Sequence, residues 1–323
     1  MNAQPACDLT YFALASTAAA PALAVPKTPA GELPEVLGGR YRIERLLGVG
    51  GMGAVYRARD LLREQFGDPE PYVALKTLSE EFAEYPDASA LLYSEYALTT
   101  RLSHRHVVRL YNFDIDASSQ RAFITLELLK GPPLDQLLCE RPQGMAWNEL
   151  QGIALPLLEA LTYSHSLGVL HGDLKPSNVM LADDGLRLFD YGLGQPLEGL
   201  LPGLPRLCRT RFAAWTPRYA ALELLDGGEL TAAADVYALA CVLYELASGS
   251  HPYRRLSARQ AKAMELDRTL QRPPQLPAHC WPALRLALAF DEAQRSIDAA
   301  GLLQVFSRPV PSRWQRWLGP SHG

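Results

Sequence analysis

The stretch "RYRIERLLGVGGMGAVYRARD", residues 40–60, alternates apolar and polar residues on both sides of a glycine cluster. That period predicts a strand on each flank, with the glycines forming the turn. Gly48, Gly50 and Gly53 carry no Cβ, so their backbone amides can approach phosphate oxygens closely. The spacing alone is a weak signal, because ordinary turn glycines also produce it. The residues that follow decide the fold. A dinucleotide crevice requires a helix after the glycines. Here "AVYRARD" (54–60) alternates as a strand instead. Strand, glycine turn and strand together predict a flap over phosphates.

Working outward, "PYVALKTL" (71–78) reads as a further strand, and "LLREQFGDPE" (61–70) as an enlarged hairpin loop before it. Lys76 near the end of that strand follows Gly53 by 23 residues, where a strand returning beside the flap brings an ammonium to the phosphates. Residues 87–102 fit a helix with Asp87 as cap. Glu95 shares its face with Leu91, Leu92 and Leu98 and therefore points inward. An inward carboxylate without a cation is costly, which gives Glu95 a physical motive to pair with Lys76. "HVVRLYNFDID" (106–116) and "RAFITLELL" (121–129) complete a mostly antiparallel β region.

After Lys130 the pattern turns helical. Residues 147–168 form a long apolar helix that Pro156 should kink, and 232–249 are apolar on most of their circumference, as in a buried helix. Between these helices lies "HGDLKPSN" (171–178), with "LFDYG" (188–192) after it. Asn178 and Asp190 offer oxygen ligands of the kind Mg²⁺ prefers. Asp173 can accept a hydroxyl proton, and Lys175 can neutralise a transferring phosphoryl group. A polar turn with an Asx cap explains any one of these four residues. It does not explain all four beside a glycine flap and an internal lysine.

Composition narrows the classes. The chain has 323 residues, 48% apolar and 20% charged, with a net charge of −4. No basic field is present to hold nucleic acid or an anionic membrane. Cys7, Cys139, Cys208, Cys241 and Cys280 are scattered without a CxxC pair, as reduced thiols of a cytoplasmic protein are. No run of about 20 apolar residues predicts a transmembrane helix. Residues 9–25 are uncharged and Ala-rich, but no basic residue precedes Lys27, so they read as tail rather than signal peptide. The expected organisation is a flexible Ala/Pro-rich tail over 1–39, a catalytic domain over 40–307 divided at 128/129, and a Pro/Trp-containing tail over 308–323.

The order of glycine flap, "VALK", helix Glu, "HGDLKPSN", "DYG" and "TPRYAALE" (216–223) resembles the eukaryotic-like (Hanks-type) serine/threonine protein kinase family. "GGMG" (50–53) gives it the look of the bacterial branch. The resemblance covers roughly residues 41–307. It implies an α+β, two-lobed protein-kinase-like fold. The small lobe is antiparallel β with one main helix, and the larger lobe is mostly helical. It further implies ATP with Mg²⁺, or Mn²⁺ in its place, and protein substrates carrying Ser or Thr.

Residue by residue, the resemblance makes Leu47, Gly48, Val49, Gly50, Gly51, Met52, Gly53, Ala54 and Val55 the nucleotide flap. Lys76 contacts the α/β-phosphates and Glu95 holds it. Asp173 orients the substrate hydroxyl with Lys175 beside it, and Asn178 and Asp190 bind the metal. Val55, Ala74 and Met180 enclose the adenine, Leu126 is the gatekeeper, and Glu127 to Leu129 supply hinge contacts. Thr216 resembles the serine/threonine branch. Asp235 should accept backbone amides of the 171–178 loop, and Glu223 should pair with Arg295.

Several departures stand out. Tyr191 replaces a usual Phe, and "ALE" replaces APE. The main one is Gly172, where the family has an Arg that receives an activation-loop phosphate. Its loss argues against that control and not against activity. Thr210 is the natural autophosphorylation site, because Thr210 and Thr216 are the only Ser or Thr between Asp190 and Glu223. Arg206, Arg209 and Arg211 lie on that same loop segment, so they cannot tie a phosphate there to the catalytic loop. With Arg218 they leave an acidic substrate open beside the plainer reading of a solvated basic loop. Pro133 gives no support to a basic-substrate preference. Two rival classes share parts of the pattern. Small-molecule phosphotransferases of the aminoglycoside/choline type use "HGD" but lack the "TPRYAALE" segment. Non-catalytic pseudokinases usually lose the Lys, the catalytic Asp or the metal Asp, all kept here. The recruiting partner is not readable from the sequence.

Overall fold

The computed structural model describes residues 33–49, 53–78, 88–192, 194–196 and 215–309. The chain divides into two compact units. The first comprises residues up to Tyr93 together with Leu110–Leu128, and the second Ser94–Arg109 together with the residues from Leu129 onward. Both chain tails, Gly50 to Met52, Asp87 and the segment containing Arg206 to Arg211 lie outside the described residues.

The first unit holds a six-stranded sheet in the order β1-β2-β3-β4-β6-β5. The strands are β1 (Val36–Leu37), β2 (Tyr41–Val49), β3 (Gly53–Asp60), β4 (Tyr72–Leu78), β5 (Leu110–Ile115) and β6 (Ala122–Leu126). Every pairing is antiparallel. Alternation sorts the faces as expected of pleated strands. Val73 and Leu75 of β4 join Leu37, Tyr41, Ala58 and Phe123 in a buried cluster. Ala74 and Lys76 therefore lie on the opposite face. The Tyr41 and Phe123 rings meet edge to face, with centroids 5.8 Å apart.

The segment expected to be an enlarged loop between β3 and β4 starts with a short helix, Leu61–Gln65. Its cause is Asp60, whose side chain accepts from the amides of Leu62 and Arg63 at 3.1 and 3.3 Å. That is an N-cap, which satisfies donors a helix start leaves open. Arg40 fixes the same carboxylate through two bonds of 2.8 and 2.6 Å. Five residues are too few for periodicity to announce a helix.

The second unit centres on two helices, Trp147–Ser166 and Ala232–Ser248. The latter is buried at 13 of its 17 residues, as a sequence apolar on most of its circumference requires, with Asp235 and Glu245 among the buried residues. The former runs on through Pro156 as one helix. An internal proline costs about 3 kcal/mol, but Ile153, Ala154, Leu157, Leu158 and Leu161 are buried around it, and packing outweighs propensity. Residues 106–109, expected to begin a strand, fall in the second unit instead. There Val107 bridges to Leu188, and the His106 ring bonds the Leu186 carbonyl at 3.0 Å. Among the described residues no helix is long and apolar enough to cross a membrane.

Candidate active site

In the second unit the strand Val169–Leu170 leads into the 171–178 loop, which ends in a 3₁₀ turn, Pro176–Asn178. The hairpin Val179–Ala182 with Gly185–Leu188 follows and carries the chain to Asp190. Asp235 anchors the start of the loop. Its carboxylate accepts from the amides of His171 and Gly172, each at 2.8 Å, and meets His165 Nε2 at 3.0 Å. Burial alone would raise the Asp235 carboxyl, yet the His165 contact and these donors hold it below the ordinary carboxylate value. Gly172 has φ +84°, in the left-handed region that favours glycine.

Lys175 Nζ joins Asp173 at 2.5 Å and Thr216 Oγ1 at 3.0 Å. The Thr216 amide donates to the other Asp173 oxygen at 3.3 Å. Asn178 Nδ2 donates to the Asp173 carbonyl at 2.9 Å, which leaves its amide oxygen outside that bond. Burial pushes the Asp173 carboxyl up from its ordinary value; Lys175 opposes the shift and the Asp190 charge adds to it. A carboxylate so placed is a better proton acceptor than a surface aspartate.

Asp190 has φ +67°, a left-handed conformation for a residue with a side chain. Its neighbours are fixed on both sides. The Phe189 amide donates to the Asn178 carbonyl at 3.0 Å, and the Phe189 carbonyl contacts His171 Nε2 at 3.1 Å. The Tyr191 ring is wholly buried, 4.6 Å from the His171 ring by centroids. Asn178 and Asp190 present amide and carboxylate oxygens, a donor set that suits Mg²⁺. The residues present therefore fit the cation that the sequence implies.

In the first unit the register pairs Lys76 of β4 with Val55 of β3, and Ala74 with Leu126 of β6. Val55, Ala74, Lys76 and Leu126 thus share one sheet face, away from the buried cluster. Gly53 pairs with Leu78, and a Cβ there would come within 2.1 Å of the Thr77 carbonyl oxygen, so this flap glycine is needed for strand contact as well. Leu47, Gly48 and Val49 end β2 and Ala54 lies in β3, while Glu127 follows β6. Met180 and Leu129 belong to the second unit, where Met180 bridges Pro133. Glu95 lies on the helix Ala88–Thr99 and is 8% exposed, buried as Leu91, Leu92 and Leu98 are.

Residues 41–304 match the family described as the protein kinase domain. The chain belongs to the protein kinase family. Its relatives lie in the bacterial, eukaryotic-like serine/threonine branch. It is 33% identical over 268 residues to the serine/threonine-protein kinase PkaA of Streptomyces coelicolor, covering 78% of this chain and 47% of the relative. It is 33% identical over 270 residues to the serine/threonine-protein kinase PknD of Mycobacterium tuberculosis, covering 82% and 39%. The chain spans less than half the length of both. Among solved structures, the Mycobacterium tuberculosis PknI kinase domain aligns with a TM-score of 0.60 at 25% identity, over 87% of this chain and 98% of that one.

Within this kinase-family chain, three polar partners were not read from sequence. His165 supports Asp235, the His171 ring contacts the Phe189 carbonyl, and Ser164 bonds the Tyr191 hydroxyl at 2.8 Å. The run "YSHSLG" (163–168) carries two of them, but only helix placement shows which face they occupy. The Glu223–Arg295 pair is present at 2.7 Å, with the Arg295 side chain fully buried.

Proposed function

We propose that this chain transfers the γ-phosphoryl group of ATP to Ser or Thr hydroxyls of protein substrates. The observation that carries this reading is the Asp173–Lys175–Thr216 constellation, a proton acceptor and a cation held together by a threonine. Asp173 orients the acceptor hydroxyl and takes its proton as the oxygen attacks phosphorus. Lys175 offsets the charge on the transferring group. Lys76, held by Glu95, contacts the α/β-phosphates. The flap from Leu47 to Val55 covers them. Val55, Ala74 and Met180 enclose the adenine beside Leu126, and Glu127 and Leu129 supply hinge contacts. Asn178 and Asp190 would hold Mg²⁺ or Mn²⁺, which when bound neutralises phosphate charge.

Control is assigned from Gly172. Its left-handed backbone and the lack of a guanidinium support a loop ordered by Asp235 rather than by an activation-loop phosphate. The experiment is ATP-dependent phosphorylation of a generic protein acceptor beside an aminoglycoside. Transfer to protein Ser or Thr supports the reading. Transfer to the aminoglycoside alone overturns it in favour of a small-molecule phosphotransferase, and transfer to neither overturns it in favour of a scaffold.

A further inference from the structure

We infer that the Tyr191–Ser164 hydrogen bond is a clasp that positions the Asp190 turn. A left-handed residue with a Cβ is strained and persists only where its surroundings over-determine it. Asp190 is such a residue, at φ +67°. Tyr191 comes next in the chain, with its ring fully buried. Its hydroxyl lies 2.8 Å from Ser164 Oγ on the long helix. Ser164 Oγ donates to the Ala160 carbonyl at 2.9 Å, so in the bond to Tyr191 it is the acceptor. The Tyr191 carbonyl in turn accepts from the Gly194 amide at 2.7 Å. Tyr191 is thus held at both its hydroxyl and its backbone.

The clasp has an asymmetry that makes it testable. Removing the Tyr191 hydroxyl leaves Ser164 satisfied by Ala160. Removing the Ser164 hydroxyl leaves a buried phenol without that acceptor, and an unsatisfied buried group costs more than a lost bond. Ser164→Ala should therefore be worse than Tyr191→Phe, and adding Tyr191→Phe to Ser164→Ala should bring function back only to the smaller loss of Tyr191→Phe. Only the consequence of the clasp for Mg²⁺ use and turnover rests on the phosphoryl-transfer reading; the bond and its effect on the Asp190 turn do not.

The test uses the full chain and three variants: Tyr191→Phe, Ser164→Ala and the double variant. Hydrogen exchange is followed in peptides covering Phe189 to Gly192. Mg²⁺ dependence of ATP binding and the split of kcat from KM are measured alongside. In Ser164→Ala, exchange there should rise about tenfold, equivalent to about 1.4 kcal/mol. The Mg²⁺ requirement should rise several-fold and kcat should fall at constant acceptor KM. The double variant should match Tyr191→Phe in all three. Exchange like wild type in Ser164→Ala, or additive losses in the double variant, would overturn the clasp. If exchange shows the rescue pattern while wild type transfers no phosphate, the clasp stands and the phosphoryl-transfer reading falls.

Discussion

Asp235 accepts the backbone amide of Gly172 at 2.8 Å. The same carboxylate takes the amide of His171 and contacts the His165 ring, so one buried side chain serves three partners. An asparagine keeps the shape but presents a donor where a donor already points. Each orphaned buried group costs about 1–3 kcal/mol. Asp235→Asn should lose about that much stability in urea unfolding and at least about tenfold in turnover. Unchanged values for both would show that the loop is held by something else.

Gly172 should tolerate no side chain well. At φ +84° a Cβ costs about 1–2 kcal/mol. Gly172→Ala and Gly172→Arg should both lower stability by a similar amount. The arginine should not make the protein depend on a phosphate at Thr210. Thr210→Ala should keep turnover within about a factor of five of wild type. Steady-state kinetics on phosphatase-treated proteins check this, and loss of turnover on removing the Thr210 phosphate would reverse the assignment.

Arg295 is the structural lock of the second unit. Its guanidinium meets Glu223 at 2.7 Å and also donates to the carbonyls of Ala233 and Ala289, each at 2.9 Å. Breaking a buried pair by removing one partner typically costs about 3–5 kcal/mol. Arg295→Met should lower the unfolding free energy by about 3 kcal/mol or more. A denaturant titration with unchanged midpoint would contradict that.

His251 should make stability fall in acid. Its Nδ1 accepts from the amides of Tyr253 and Arg255 at 3.2 and 3.3 Å, across the left-handed residues Arg254 and Arg255. Burial pushes this imidazole down to about 3, and the Arg218 and Arg255 charges act the same way. The unfolded chain binds the proton near pH 6.5, so it holds more protons than the native state below that pH. The contribution is complete above about pH 6.5 and is lost as pH falls toward 3, at up to about 1.4 kcal/mol per pH unit. In His251→Asn this part of the slope should vanish. Thermal unfolding from about pH 7 to about pH 4.5 is the measurement, and equal slopes in both proteins would show that His251 is not the titrating group.

The sheet was readable in advance because its strands alternate over a whole face, which sets the face on which Lys76 lies; its pairing with Val55 is a feature of the fold. The 171–178 loop was readable because its polar residues cluster within a few positions, and the Asp235 contacts expected of it are present. The helix at Leu61–Gln65 was not, since it depends on the Arg40–Asp60 contact 20 residues apart. Nor was the placement of residues 106–109, which is fixed by partners about 80 residues on, at Leu186 and Leu188. Ser164 and His165 look like ordinary helix residues until the fold shows what they face. Periodicity reports burial, whereas partners distant in sequence leave no local trace.

The most direct test of the account is turnover and ATP affinity for wild type, Asp173→Asn and Thr216→Ala, with Mg²⁺-ATP and a protein acceptor. Asp173→Asn should bind ATP like wild type but lose about 10²–10⁴-fold in kcat, the usual worth of a positioned base. Thr216→Ala, which removes one of the two Lys175 acceptors, should also lose most turnover at little cost in ATP affinity. Near-normal kcat in Asp173→Asn, with ATP binding lost instead, would contradict the assignment of Asp173 to the acceptor hydroxyl and with it the proposed mechanism.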